Sequence, residues 1–172
     1  MAGEGNSEGE QEGAAVQPLA AEQVALQQRA LGQLARREHS RRELERKLAR
    51  AGASAELIRQ VLDDLAERGL QSDARFAEAL VSNRVRRGQG VARVRRELAD
   101  RGVAAEVIDA TCAGGGIDWQ RRAREVCREK FGTGVPADRK EWARRARFLS
   151  YRGFATEIIC AVLASTTDGE DS

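Results

Sequence analysis

Residues 94–112 read VRRELADRGVAAEVIDATC. Moved back by fifty positions, the same frame lands on LERKLARAGASAELIRQVL (44–62), setting Leu48 on Leu98, Gly52 on Gly102, Glu56 on Glu106 and Ile58 on Ile108. Moved forward by fifty-one, it lands on RARFLSYRGFATEIICAVL (145–163), with Leu149, Gly153, Glu157 and Ile159 in the corresponding places. Helical periodicity meeting itself by chance would not bring a glycine, a glutamate and the apolar pair together three times. The chain is therefore read as three similar units. A short unit with one apolar face needs its neighbour to cover it, which predicts a tandem array in the form of an elongated, curved bow.

Outward from this frame the apolar spacing is helical throughout. Leu26, Ala30, Leu31 and Leu34 mark a first helix, Leu44 and Leu48 a second, and Leu57, Ile58, Val61, Leu62 and Leu65 a third. Ser40 with Glu43 forms a capping box that starts the second helix, while Gly52 and Gly69 stop the second and third. A fourth helix spans about 73–86 with Phe76, Leu80, Val81 and Val85 inward, and it breaks at Gly88 to Gly90. Val91, Val94 and Leu98 line the fifth; Val107, Ile108 and Cys112 mark the sixth; Trp119, Ala123 and Val126 the seventh, ending near Gly132. Trp142, Ala146 and Leu149 define the eighth, and Ile158, Ile159, Val162 and Leu163 the ninth. No stretch holds a period of two long enough for a strand, so the predicted class is all-α, with repeats over 18–69, 70–114 and 115–165.

Composition agrees with a helical core of small aliphatics. Apolar residues make up 41% of the 172, and only seven residues are aromatic. The formal charge of +2 hides a division. Glu4, Glu8, Glu10 and Glu12 sit in a glycine-rich head, and Asp168, Glu170 and Asp171 close the chain. Without those seven of the 27 acids, 29 basic residues face 20 acidic ones, about +9 for the body. The head over 1–17 and the tail over 166–172 have too little to bury to offset the entropy of ordering, and both are expected to be disordered. No leader pattern and no run of eighteen apolar residues occurs, which argues for a cytoplasmic protein without a membrane span. Cys112, Cys127 and Cys160 are odd in number and widely spaced, and with a single histidine they form neither a disulfide framework nor a zinc site. They are read as small core residues.

Four segments together resemble the RecX family of regulatory proteins: ARREHSRRELERKLARAG (35–52), LAERGLQSDARFAEALVSNRVRRGQGVARVRRELADRGV (65–103), REKFG (128–132) and RRARFLSYRGFATEII (144–159). The likeness extends from about Leu26 to Leu163. The head before Pro18 matches no family motif, and GTGVPADRK (132–140) follows it only loosely. The resemblance implies a curved, modular all-helical protein. It also implies a regulator of the RecA recombinase that binds the RecA nucleoprotein filament on single-stranded DNA, occupies its groove and limits recombinase and coprotease activity.

The candidate partner-binding residues are arginines. Between Arg84 and Arg96 no acid interrupts Arg84, Arg86, Arg87, Arg93, Arg95 and Arg96. Helical spacing turns Arg84 and Arg87 outward on the fourth helix, with Arg93, Arg96 and Arg95 outward on the fifth. Gly88 and Gly90 are expected to leave free amides at the start of the fifth helix, a place that welcomes anions. The guanidinium fork suits phosphates and protein carboxylates alike, and a merely solvated face is the plain alternative. Arg144, Arg145 and Arg147 form a second basic cluster. Of the 29 basic residues only three are lysine, which weakens any argument from arginine content alone.

No catalytic set emerges, and no metal or cofactor is expected. His39 beside Ser40 reads as a helix-boundary hydrogen bond, and Trp119 and Trp142 as packing between helices. Glu43, Glu56, Glu97 and Glu106 suit caps and i,i+4 pairs better than acid–base work. Gly88 and Gly90 lack the preceding strand and following GK[ST] of a phosphate-binding loop. The expected mode of action is occupancy by a monomer. The alternative is a helical nucleic-acid-binding protein acting independently of RecA.

Overall fold

A computed structural model describes residues 9–114 and 116–164, with side chains from residue 20 onward. Residues 1–8 and 166–172 of the head and tail expected to be disordered lie outside the described residues, and over 9–19 only the helical backbone is described. Among the described residues there are nine helices and no strand: α1 (Gly9–Leu34), α2 (Arg41–Ala49), α3 (Ala55–Glu67), α4 (Asp73–Arg86), α5 (Val91–Asp100), α6 (Ala105–Gly114), α7 (Trp119–Phe131), α8 (Arg139–Arg152) and α9 (Thr156–Ala164).

Each successive trio of helices has its own core, drawn from the periodic residues. Leu26, Ala30, Leu44, Leu48, Ile58, Val61, Leu62 and Leu65 form the first. Phe76, Ala77, Leu80, Val81, Val94, Leu98, Val103, Ile108 and Cys112 form the second. Ala123, Val126, Cys127, Leu149, Phe154, Ile159, Val162 and Leu163 form the third. The repeat-frame leucines Leu48, Leu98 and Leu149 are each buried, one per core. A leucine so enclosed costs about 2–5 kcal/mol to truncate, because the side chain leaves both transfer energy and a cavity behind.

The described residues divide into two compact units that part between Ser72 and Asp73. In the first, Ser40 caps α2 by accepting the Glu43 amide at 3.2 Å, and Ser54 caps α3 by accepting the Leu57 amide at 3.2 Å. His39 is buried behind that cap. Its Nδ1 lies 3.0 Å from the Arg37 carbonyl and its Nε2 is 2.9 Å from Lys47 Nζ. Neutral His39 satisfies both if Nδ1–H donates to the carbonyl and Nε2 accepts from the ammonium. Burial above all, with the Arg37 and Lys47 charges adding to it, holds its pKa below 6.5. The expected helix-boundary hydrogen bond is thus present.

In the second unit the start of α5 is pressed against the end of α8. The Gly90 amide donates to the Arg152 carbonyl at 2.8 Å, and the Ala92 amide to the Gly153 carbonyl at 3.0 Å. A Cβ on Gly90 would stand 2.3 Å from the Phe154 nitrogen, and one on Gly153 would stand 2.4 Å from Arg93 Cβ. Glycine is required at both places by backbone approach. This corrects an expectation: the first-turn amide of Ala92 is already engaged and does not await an anion.

Trp119 joins the second and third trios of helices. Its ring packs on the second core and its indole N–H donates to the Cys112 carbonyl at 3.2 Å. Trp142, expected to pack likewise, is instead 39% exposed. Cys112 and Cys127 are buried, and burial pushes both thiols up; Cys160, against expectation, is exposed.

Candidate partner-binding face

The end of α4 sets the geometry of the arginine turn. Its last carbonyls would be orphaned by the break at Gly88, and arginines from α7 and α8 take them. Arg122 Nε donates to the Val85 carbonyl at 3.0 Å, and Arg152 Nη1 donates to the Arg87 carbonyl at 3.0 Å. Two cations at a helix C-terminus also suit its dipole. Sequence periodicity does not single out Arg122 or Arg152, because their partners are 37 and 65 positions away.

With the turn fixed, its arginines part company. Arg84, Arg87, Arg93 and Arg96 line one open depression of about 420 Å³ together with Gln89, Glu97 and Asp100. Arg86 lines different depressions, with Ile117, Asp118 and Arg121, and donates weakly to Ser82 Oγ at 3.3 Å. Arg95 is engaged with Asp109 on α6. The uninterrupted run of arginines in the sequence therefore serves three directions in space.

Arg84 departs from the outward reading. It holds Glu97 in a two-pronged pair, Nε to Oε2 at 2.7 Å and Nη2 to Oε1 at 2.6 Å, and both side chains are largely covered. The Arg84 hydrogen bonds lead the effects that hold the Glu97 carboxyl below the usual carboxylate range; Arg101 and Arg93 add to them and burial opposes. Arg87, Arg93 and Arg96 are exposed. Arg93 lies beside the end of α8, its Nη1 3.5 Å from the Tyr151 carbonyl.

The second cluster divides as well. Arg145 is 4% exposed and points inward, donating to Glu141 at 2.7 Å and to the Gly134 carbonyl at 2.5 Å, with its guanidinium 5.4 Å from the Phe131 ring centre. It ties the 132–140 connection to α8 and is turned away from solvent. Arg144 and Arg147 are exposed. Arg144 also lies over Phe131, 5.1 Å from the ring centre. One turn beyond Arg147 stands Tyr151, 82% exposed, a residue outside the candidate set. Its place off the stripe of Trp142, Ala146 and Leu149 was the signal in the sequence.

Among the described residues no group of three or more His, Cys, Asp and Glu side chains is placed to hold a metal ion, and no helix is long and apolar enough to cross a membrane. The fold defines a helical protein of three tandem three-helix domains, with Arg87, Arg93 and Arg96 exposed at one depression of the second. The chain belongs to the RecX family: the family's first three-helix domain matches residues 27–65, its second 72–111 and its third 117–163. It is 46% identical over 128 residues to the regulatory protein RecX of Halorhodospira halophila, a match covering 74% of this chain and 80% of the relative. It is 47% identical over 121 residues to that of Pseudomonas tolaasii, covering 70% and 78%. Two solved structures share the fold. A crystal structure of regulatory protein RecX aligns with TM-score 0.76 at 17% identity, over 95% of this chain and 81% of the other. RecX from Lactobacillus salivarius aligns with TM-score 0.75 at 17% identity, over 86% and 98%.

Proposed function

We propose that the chain is a non-enzymatic, cytoplasmic regulator that binds the RecA filament on single-stranded DNA as a monomer and lowers its recombinase, ATPase and coprotease activities by occupancy. The observation that carries this reading is family membership across all three domains, at 46% identity to a regulatory protein RecX. The face at Arg87, Arg93 and Arg96 gives occupancy a physical means. Three exposed guanidinium forks at one depression suit carboxylates on a protein surface, and a desolvated pair of this kind can cost about 2–5 kcal/mol when truncated. Arg84 contributes by fixing Glu97 rather than by reaching out.

The test is ATP hydrolysis by DNA-bound RecA titrated with this chain. The rate should fall at or below one chain per RecA protomer, and strand exchange and RecA-dependent repressor cleavage should fall with it. No effect on these activities at micromolar concentration rejects the reading. A second reading, a nucleic-acid-binding protein acting independently of RecA, draws on the exposed arginines of α8. It requires binding to DNA of similar strength whether or not RecA is present.

A further inference from the structure

Tyr151 stands 82% exposed on the last turn of α8. Such exposure leaves a large apolar ring in water with no packing to offset it. The other exposed large apolar residue on this helix, Trp142, lies nine positions earlier and, at 100° per residue, on the opposite side. Along its own stripe Tyr151 has the exposed Arg147 and Arg144 at i−4 and i−7, and at i−3 Phe148, whose partly buried ring packs on the third core. Across the seam between the second and third trios, Arg93 reaches its backbone carbonyl, and the Gly90–Arg152 and Ala92–Gly153 hydrogen bonds fix that seam. Exposed guanidinium groups of α8 thus precede the ring on its own helix, and its apolar neighbour at i−3 is turned to the core.

A protein hot spot built on tyrosine needs surrounding contacts that exclude water. An unpaired base needs less: a free ring face to stack on, and cations spaced along the path of the phosphates. The surroundings of Tyr151 match the second requirement. We propose that Tyr151 is a stacking platform for one base of single-stranded nucleic acid, with Arg147 and Arg144 meeting the flanking phosphates. The site is sequence-tolerant, since every base offers a π-face, and it reads the single-stranded state because a base inside a duplex has no free face. The inference rests on the proposed regulation of a filament on single-stranded DNA and adds a direct contact with the strand.

The experiment uses the full chain without RecA, so it can fail while the filament reading stands, and the filament titration can fail while this one holds. Binding is measured for two probes of equal length, an oligothymidylate and a phosphodiester oligomer of abasic sites, both fluorescently labelled. The parent should favour the thymidylate about tenfold, which is about 1.4 kcal/mol for one stacked base. Tyr151→Ala should bring the two affinities within about twofold of each other, while Tyr151→Phe should keep the preference. Arg147→Ala should weaken both probes and lower the slope of log affinity against log salt by about 0.7. Far-UV circular dichroism and thermal unfolding should be unchanged in all three variants, since the replaced side chains are exposed. A parent with no preference for bases overturns the proposal, as does a Tyr151→Ala variant that retains the preference. A Tyr151→Ala variant that binds both probes normally but fails to inhibit the filament overturns it too, by making the ring a protein contact.

Discussion

Ser40 and Gly90 occupy the same place in the repeat, fifty positions apart, and each stands at the N-cap of the middle helix of its trio. Ser40 closes its helix locally, its hydroxyl accepting the Glu43 amide. Gly90 has no side chain to do so, and the helix start is closed from outside by the Arg152 and Gly153 carbonyls. The partner glycines show the same contrast. A Cβ on Gly52 would meet open space, whereas one on its counterpart Gly153 would collide with the backbone and Cβ of Arg93. One repeat frame thus yields a helix capped by its own turn in one region and, in another, two trios joined backbone to backbone. Capping by a side chain is local and replaceable; capping by a neighbour's backbone makes the neighbour part of the helix.

The sharpest way to break this contrast is to put a side chain into the seam. Gly90→Ala should cost about 3 kcal/mol or more, since overpacking against backbone cannot be relieved by a rotamer and two hydrogen bonds are lost with it. Equilibrium unfolding followed by circular dichroism and by tryptophan fluorescence should then lose its coincidence, with Trp119 reporting the separated trios first. Gly52→Ala fills open space but has φ +88, so it should cost about 1 kcal/mol of local strain and leave the seam intact.

Arg145→Ala should follow at about 2–3 kcal/mol, because it removes charged hydrogen bonds and orphans the Gly134 carbonyl. The exposed Arg147→Ala should change stability by no more than about 0.5 kcal/mol. In the first unit, Ser40→Ala should cost about 1 kcal/mol, the usual worth of a cap.

A pH titration separates the two regions in another way. The pKa of His39 is lowered in the folded chain, so the neutral ring stabilises the first unit fully above the unfolded value of about 6.5. That contribution is lost as the pH falls below about 6.5 toward the lower folded value, because only the unfolded chain then takes the proton. Glu97 is likewise lowered, but from 4.5, so its contribution in the second unit persists until the pH falls below about 4.5. Between pH 6.5 and 5 the first unit should therefore weaken more than the second, and His39→Gln should remove most of the difference. Stability that is flat over this range in the parent would show that the ring is not held neutral.

How much of this was legible in the sequence follows from the range of each interaction. The helices and their cores were, because Leu48, Leu98 and Leu149 repeat with their glycines, and burial follows a local period. Ser40 was legible as a cap, since cap and amide are three residues apart. The arginines were legible as candidates but not by role. Arg84 looks outward by spacing until Glu97, thirteen positions on, closes on it, and Arg145 looks like Arg144 until the 132–140 connection folds over it. The seam was not legible at all: Gly90 reads as part of a helix break and Gly153 as a glycine of the repeat frame, and only their backbones, brought together, explain why neither carries a side chain.

Amide hydrogen exchange at Gly90 and Ala92 in the full chain tests the joined seam most directly. If the two trios are capped through each other, both amides exchange as slowly as that of Val94, which is bonded within the start of α5 to the Gly90 carbonyl at 3.2 Å. Exchange at Gly90 and Ala92 at the rate of an open first helical turn, with Val94 protected, would show that α5 begins free and that the face shared by α5 and α8 is not held as one surface.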